Sequence, residues 1–75
     1  MARFDCPECG RRKPLVLRTE GGVENLACPD CGTVPDAQEV FVRVGHVDGT
    51  YEDVPVTSET GRERLTDRMA DALGL

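Results

Sequence analysis

Two copies of one five-residue unit contain all four cysteines of this 75-residue chain: CPECG at residues 6–10 and CPDCG at residues 28–32. Within each unit the two thiols lie three positions apart, so both can bind one ion across a single turn. Eighteen residues separate Cys9 from Cys28, and a spacing of about 15–20 residues between two such pairs is typical of zinc sites. Four thiolates complete a closed tetrahedral site. We therefore expect one structural Zn²⁺ to be held by Cys6, Cys9, Cys28 and Cys31.

The other residues of the two units also favour a metal site. Pro7 and Pro29 fix φ at the second position of each turn, and Gly10 and Gly32 allow a positive φ after the second cysteine. Such turns leave backbone N–H groups free to point at the sulfurs, which stabilises thiolates. Two alternatives use the same cysteines: a pair of disulfides in a secreted domain, and a redox Cys-x-x-Cys motif. A redox motif is expected once, and the short, mixed segment 1–5 does not fit a secretory signal. We expect a cytoplasmic protein.

Catalysis is not expected from this set of residues. A catalytic zinc keeps one coordination position open for water, and four cysteines leave none open. His46 is the single histidine and is not needed as a ligand. We therefore predict that the chain is not an enzyme and has no small-molecule substrate.

The length of the chain explains why it needs a metal. A domain of fewer than about 80 residues obtains only a few kcal/mol from its apolar core, and the aromatic residues here are only Phe4, Phe41 and Tyr51. Structural zinc contributes on the order of 10 kcal/mol of coupled binding and folding free energy. We expect a single monomeric domain in which the region around the cysteines is unfolded without metal.

Charge is distributed unevenly along the chain, whose formal net charge is −5. Residues 1–35 contain five basic and five acidic side chains, so residues 36–75 account for the whole excess. This balance argues against general binding to DNA or to an anionic membrane. Eight arginines and one lysine among many carboxylates resemble the composition of proteins from salt-loving archaea.

One basic run is the candidate nucleic-acid contact: Arg11, Arg12 and Lys13, extended by Arg3 and Arg18. The alternative interpretation is that these side chains balance the negative charge of the metal–thiolate centre.

The elements that would position the cysteines can be read from apolar patterns and turn residues. Residues 15–19 and 23–27 are predicted strands of a hairpin that joins the two cysteine units, and residues 32–37 are a connector. Residues 39–56 predict a second hairpin around a two-residue turn at Asp48-Gly49. This register places Val40, Val42 and Val44 on one face with Tyr51, and Phe41 and Val47 on the other with Val54 and Val56. Pro55 predicts an edge strand.

Residues 60–73 are predicted to form a helix with Thr60 at its N-cap and Glu63 at the third position. Gly74 is its predicted C-terminal stop. We expect this helix to pack on the second hairpin. In the alternative interpretation it is loosely attached and offers a partner surface made by Leu65, Met69 and Leu73.

The paired CPxCG units resemble those of zinc-ribbon proteins, in particular the short acidic zinc-finger proteins of haloarchaea. The resemblance covers residues 4–35 and implies metal binding and ribbon architecture. The expected fold is a small metal-stapled α+β structure: a zinc ribbon with two CPxCG knuckles and a β-hairpin, a second β-hairpin and a C-terminal α-helix.

The resemblance also implies a class of function, because zinc ribbons occur in transcription and translation machinery and in adaptors. We expect a non-catalytic interaction or regulatory module whose partner is a protein, a nucleoprotein or RNA. One alternative is a protein–protein adaptor with no nucleic-acid contact. The other is a rubredoxin-like iron electron carrier, since sulfur ligands alone do not select zinc over iron, although few aromatic residues lie near these cysteines.

Overall fold

The computed structural model describes residues 2–75 and confirms a small α+β fold built from β-hairpins, a helical C-terminal segment and a four-cysteine cluster. Within these residues the elements are β1 (Ala2–Cys6), β2 (Arg11–Pro14), β3 (Val16–Glu20), β4 (Val23–Ala27), β5 (Val40–Gly45), β6 (Tyr51–Pro55), α1 (Glu59–Glu63) and α2 (Asp67–Ala72), with a 3₁₀ turn at Ala37–Glu39 before β5.

The strands form two antiparallel sheets. The larger sheet has the order β2-β1-β5-β6, so the N-terminal strand lies in its middle, and the smaller sheet is the β3–β4 hairpin. Strands β1 and β2 were not predicted from the sequence. In β1 the residues Ala2, Phe4 and Cys6 are buried and alternate with outward residues, but five residues are too few to distinguish this pattern from chance.

The hairpin between the cysteine units is confirmed. Glu20 pairs with Val23, and the two residues between them, Gly21 and Gly22, have φ of 57° and 81°. A two-residue turn with positive φ at both positions matches the right-handed twist of the strands. Leu15 lies just before β3 and is buried, and its N–H donates to the Ala2 carbonyl at 2.9 Å.

The second hairpin is present, but its predicted two-residue turn is wrong. Gly45 pairs with Tyr51, and the His46 N–H donates to the Thr50 carbonyl at 2.8 Å, which leaves a three-residue loop. Gly49 has φ of 87°, and the Asp48 carboxylate accepts from the Thr50 N–H at 3.0 Å and from its hydroxyl at 2.7 Å. Three-residue loops of this kind place a glycine in the left-handed region.

The longer loop shifts the register by one residue, which moves every side chain of β6 to the opposite face. Tyr51 therefore shares a face with Phe41 and Arg43, while Val54 and Val56 share the other with Val40, Val42 and Val44. The predicted faces for Tyr51, Val54 and Val56 are corrected accordingly. Pro55 lies on an edge strand, as predicted.

The core lies on one side of the larger sheet. Its largest fully buried side chains are Phe4, Leu26, Val40, Val42 and Val56, joined by Leu65 and Ala70 from the helical segment. Helix α1 contacts β6, and α2 contacts β4 of the smaller sheet. The expected contact between the helical segment and the second hairpin is therefore made by α1.

The helical segment consists of two short helices, where the sequence predicted one. Ser58, and not Thr60, caps α1 by accepting from the Gly61 N–H at 3.0 Å, and Thr66 caps α2 by accepting from the Met69 N–H at 3.2 Å. Gly74 is the C-terminal stop, as predicted. Its φ is 77°, and the Leu75 N–H donates to the Ala70 carbonyl in a Schellman arrangement. Neither helix in the described part of the chain has the length and apolarity needed to cross a membrane.

Candidate metal centre

The two cysteine units fold into equivalent turns, which we call the first knuckle (residues 6–10) and the second knuckle (residues 28–32). The first knuckle connects β1 to β2, and the Gly10 N–H donates to the Cys6 carbonyl at 2.8 Å. The second follows β4, and the Gly32 N–H donates to the Cys28 carbonyl at 2.9 Å. Gly10 and Gly32 have φ of 70° and 77°, as the sequence predicted.

The two knuckles bring all four sulfur atoms together. Every pair of Sγ atoms lies within 4.8 Å. The Sγ atoms of Cys6 and Cys31 are 3.4 Å apart, those of Cys9 and Cys28 are 3.8 Å apart, and those of Cys9 and Cys31 are 3.9 Å apart. A tetrahedral ion with metal–sulfur bonds of about 2.3 Å requires sulfur–sulfur separations of about 3.8 Å. A disulfide would need about 2.05 Å. The cluster therefore fits one four-coordinate metal ion and has no disulfide.

One side of the cysteine cluster is buried in the core and the other is exposed to solvent. Cys6 and Cys28 are buried against the core, Cys9 is half-buried and Cys31 is exposed. Phe4 and Leu26 belong to the same buried cluster as these two cysteines, so water reaches the centre only from the side of Cys9 and Cys31.

The acidity of the thiols differs across the centre. The hydroxyl and backbone N–H of Thr33 donate to Cys31, with a Thr33 Oγ1–Sγ distance of 3.1 Å, and lower the pKa of Cys31 to about 6. Burial and the neighbouring thiols raise the pKa of Cys9 to about 12. A metal ion must displace protons from the less acidic thiols, so binding should weaken as the pH falls. Thr33 was not singled out from the sequence.

An ion pair between a buried lysine and an exposed aspartate connects the two knuckles. Lys13 follows the first knuckle on β2 and is only 9% exposed, and its ammonium group donates to the carboxylate of Asp30 in the second knuckle. The sequence interpretation of Lys13 as a nucleic-acid contact did not foresee this pairing. The alternation of β2 turns Lys13 inward, and no local pattern shows which carboxylate it meets.

Both members of this pair are charged at neutral pH. The hydrogen bond from Lys13 holds the pKa of Asp30 below its ordinary range, and the bond to Asp30 raises the pKa of Lys13. The lowered pKa of Asp30 stabilises the fold at pH values above the pKa of an unfolded aspartate, about 3.9, and this stabilisation is lost as the pH falls through the pKa of Asp30 in the folded protein. The raised pKa of Lys13 stabilises the fold at pH values below the pKa of an unfolded lysine, about 10.4, and this stabilisation is lost as the pH rises through the pKa of Lys13 in the folded protein. The pair therefore stabilises the fold between about pH 4 and pH 10.

Replacing Asp30 with Asn should lower both metal affinity and melting temperature, because it leaves the buried Lys13 ammonium without its partner. The matched control is Glu8→Gln, since Glu8 is the exposed residue at the equivalent position of the first knuckle. Competition with a chromophoric chelator and thermal unfolding at saturating metal measure the two quantities. Equal effects of the two substitutions would contradict this role for Asp30, and Lys13→Met combined with Asp30→Asn should recover most of the loss.

The remaining candidate nucleic-acid residues lie in different surroundings. The guanidinium of Arg12 binds Asp5 at 2.8 Å and Asp53 at 2.5 Å, and it stacks over the Phe41 ring at 4.7 Å. Arg18 lies against the second knuckle. A Cβ atom built at Gly32 would be 3.3 Å from the Arg18 Nη1. Arg11 is exposed. The structure thus divides the predicted basic run between the metal centre and the sheet.

The residues predicted as a partner surface on the C-terminal helix contact the core. Leu65 is 7% exposed, and Met69 and Leu73 are half-buried against the same core. Arg68 of α2 makes a two-pronged ion pair with Glu24 of β4, with distances of 2.7 and 2.8 Å. All three apolar side chains therefore pack, at least in part, on the core of this chain.

Residues 2–38 match the model of a family described as a domain of unknown function (DUF8106). The matched segment contains both knuckles and the β3–β4 hairpin, and it ends before β5. No curated protein and no solved structure matches the chain.

Proposed function

We propose that this chain is a non-catalytic zinc ribbon, in which one structural Zn²⁺ at Cys6, Cys9, Cys28 and Cys31 holds together a small interaction module. The observation that carries the proposal is the closed set of four sulfurs at tetrahedral spacing. With all four positions taken by protein ligands, the ion has no place for a water nucleophile or a substrate. The metal then acts on the fold and takes no part in chemistry.

The way in which the cysteines are distributed supports a structural role. Cys6 ends a central strand of the larger sheet, and Cys28 follows β4 of the smaller sheet. One ion would therefore join the two sheets. The paired CPxCG knuckles and the acidic, arginine-rich composition support a relation to the short zinc-finger proteins of haloarchaea, which resemble this chain over residues 4–35.

We expect the protein purified under reducing conditions to be colourless and to contain one zinc per chain by elemental analysis. Thiolates also bind iron, so the same preparation should be tested for the visible absorption of an iron–tetrathiolate centre. Stoichiometric iron with reversible bleaching on reduction would overturn the zinc assignment in favour of the rubredoxin-like carrier. Mutating any one cysteine should lower the zinc content, whereas His46→Ala should leave it unchanged.

The interaction role is tested by isolating partners from the native cytoplasm at native salt, with and without nuclease. A protein partner retained after nuclease treatment supports an adaptor, and one lost on treatment supports a place in a nucleoprotein. A chain that binds neither, while retaining its zinc, would overturn the interaction role.

A further inference from the structure

One face of the larger sheet has no layer packed on it by the described helices and strands. The side chains of Ala2, Phe4, Val40 and Val42 point to the other side, where Leu26, Leu65 and Ala70 pack on them. The opposite side chains define the outer face of the sheet. Its members follow from the register: Arg3, Asp5, Arg12, Pro14, Phe41, Arg43, Tyr51, Asp53 and Pro55.

The outer face has an excess of positive charge in a chain whose net charge is −5. It contains three arginines and two aspartates. Arg12 occupies both aspartates, through its bonds of 2.8 Å to Asp5 and 2.5 Å to Asp53. Arg43 makes a long ion pair with Asp53, at 3.7 Å and without a hydrogen bond. Arg3 has no ion pair with a described residue, so Arg3 and the loosely paired Arg43 are the two cations of this face that an anion can engage most readily.

These two arginines lie beside an exposed aromatic ring. Tyr51 is 70% exposed, and the Arg43 guanidinium lies 5.6 Å from the centre of its ring. Arg3, Pro14, Arg43 and Tyr51 line an open groove of about 440 Å³, within the range of about 300–1,000 Å³ that small-molecule sites occupy. The groove has room for a nucleobase against the tyrosine and a phosphate between the arginines.

We propose that the outer face of the larger sheet binds single-stranded nucleic acid, with one base stacked on Tyr51 and backbone phosphates held by Arg3 and Arg43. Strand-binding proteins combine aromatic platforms with cationic side chains in this way. A duplex keeps its base faces inside its own stack, so the groove selects single strands. The acidic remainder of the chain repels phosphate and orients an approaching strand toward the outer face.

This inference rests on the proposed zinc-held fold, because the metal fixes Cys6 at the end of the central strand that contains Arg3. It names the partner of that module, retains Arg3 from the predicted basic patch and replaces the run at Arg11–Lys13 with Arg43 and Tyr51. Arg12 acts here only as an internal brace, held by two carboxylates and by Phe41.

The test is fluorescence anisotropy of the zinc-loaded full chain with labelled single-stranded RNA and DNA of about twelve nucleotides, over a series of KCl concentrations. Two phosphate contacts predict a slope of about −1.4 in log affinity against log salt. Tyr51→Ala should weaken binding about tenfold through the loss of one stacked base, and Tyr51→Phe should restore it. Arg43→Gln with Arg3→Gln should weaken binding and flatten the slope.

The matched control for charge is Arg64→Glu against Arg43→Glu, since Arg64 is exposed in the helical segment, on the side away from the outer face. Only Arg43→Glu should reduce binding. Equal losses in both variants, a preference for duplex, or tighter binding of polyglutamate than of the strand would overturn the proposal. Zinc content and circular dichroism of every variant show whether a loss of nucleic-acid binding comes from a loss of the fold. A variant or wild-type chain that keeps its zinc and its spectrum but binds no nucleic acid would contradict the nucleic-acid site and leave the zinc ribbon standing.

Discussion

Removal of the metal by a chelator under reducing conditions should unfold the whole chain, including the second hairpin and the helices. Apparent zinc-binding free energies of about 10–16 kcal/mol in small modules are as large as the whole stability of a typical domain, about 5–15 kcal/mol. The loss cannot stay local, because β1 leads directly into the first knuckle and pairs with β5 along Ala2–Phe4. Far-UV circular dichroism and amide NMR dispersion should both collapse, and added Zn²⁺ should restore them.

Substitutions of single cysteines should follow the burial of the site. Cys28→Ser places a hydroxyl where the side chain is 0% exposed, so this variant should not fold at any practical zinc concentration. Cys31→Ser changes the exposed ligand, so it should still fold at high zinc with weakened affinity. Native spectra after verified metal removal would contradict the structural role of the metal. Equal behaviour of Cys28→Ser and Cys31→Ser would contradict the difference between the buried and the exposed side of the site.

Gly61→Ala should destabilise the protein by about 2–3 kcal/mol. A glycine-to-alanine change at an exposed position inside a helix ordinarily stabilises that helix by about 1 kcal/mol. A Cβ at position 61 would lie 1.9 Å from the Pro55 carbonyl oxygen and 2.9 Å from the Val56 Cα. These are backbone atoms, so α1 would have to move away from the end of β6. The melting temperature at saturating zinc should fall by more than about 8 °C.

Thr60→Ala provides the control for Gly61→Ala. Thr60 is exposed in the same helix, so its replacement tests helix propensity without the contact to β6. We expect a change within about 0.5 kcal/mol of the wild type in urea unfolding. A Gly61→Ala variant as stable as the Thr60→Ala variant would show that α1 does not pack closely on Pro55.

The metal centre was the most predictable part of the structure. The spacing of the cysteines and the glycines that follow them determine a local turn, and two identical turns require only that they meet. The turn of the first hairpin is also set locally, because two successive glycines between its strands allow the positive φ values that one hairpin type requires. Each of these signals is contained within five or six consecutive residues.

The errors arose where a local pattern allowed two outcomes or where distant contacts decided between them. Asp48-Gly49 fits a two-residue turn by composition, but the Asp48–Thr50 hydrogen bonds and the packing of the partly buried Val54 and the buried Val56 on the core select the longer loop. The helical pattern through residues 60–73 continues across a break, because Thr66 caps a new helix. The sequence placed Lys13 at the surface as a basic side chain, because no periodic pattern predicted β1 and β2. The pairing of these two strands directs Lys13 toward Asp30.

Because β1 lies in the middle of the larger sheet, that sheet cannot form until a later part of the chain, β5, has been synthesised. Once the second knuckle has emerged from the ribosome, all four thiols can meet, yet one edge of β1 still lacks its partner until Val40–Val42 have emerged as well. An unpaired strand edge is a template for association with other chains. A nascent chain that binds its metal at this point would expose the free edge of β1 to other chains, and a translational pause that keeps residues 40–42 inside the ribosome would prolong that exposure.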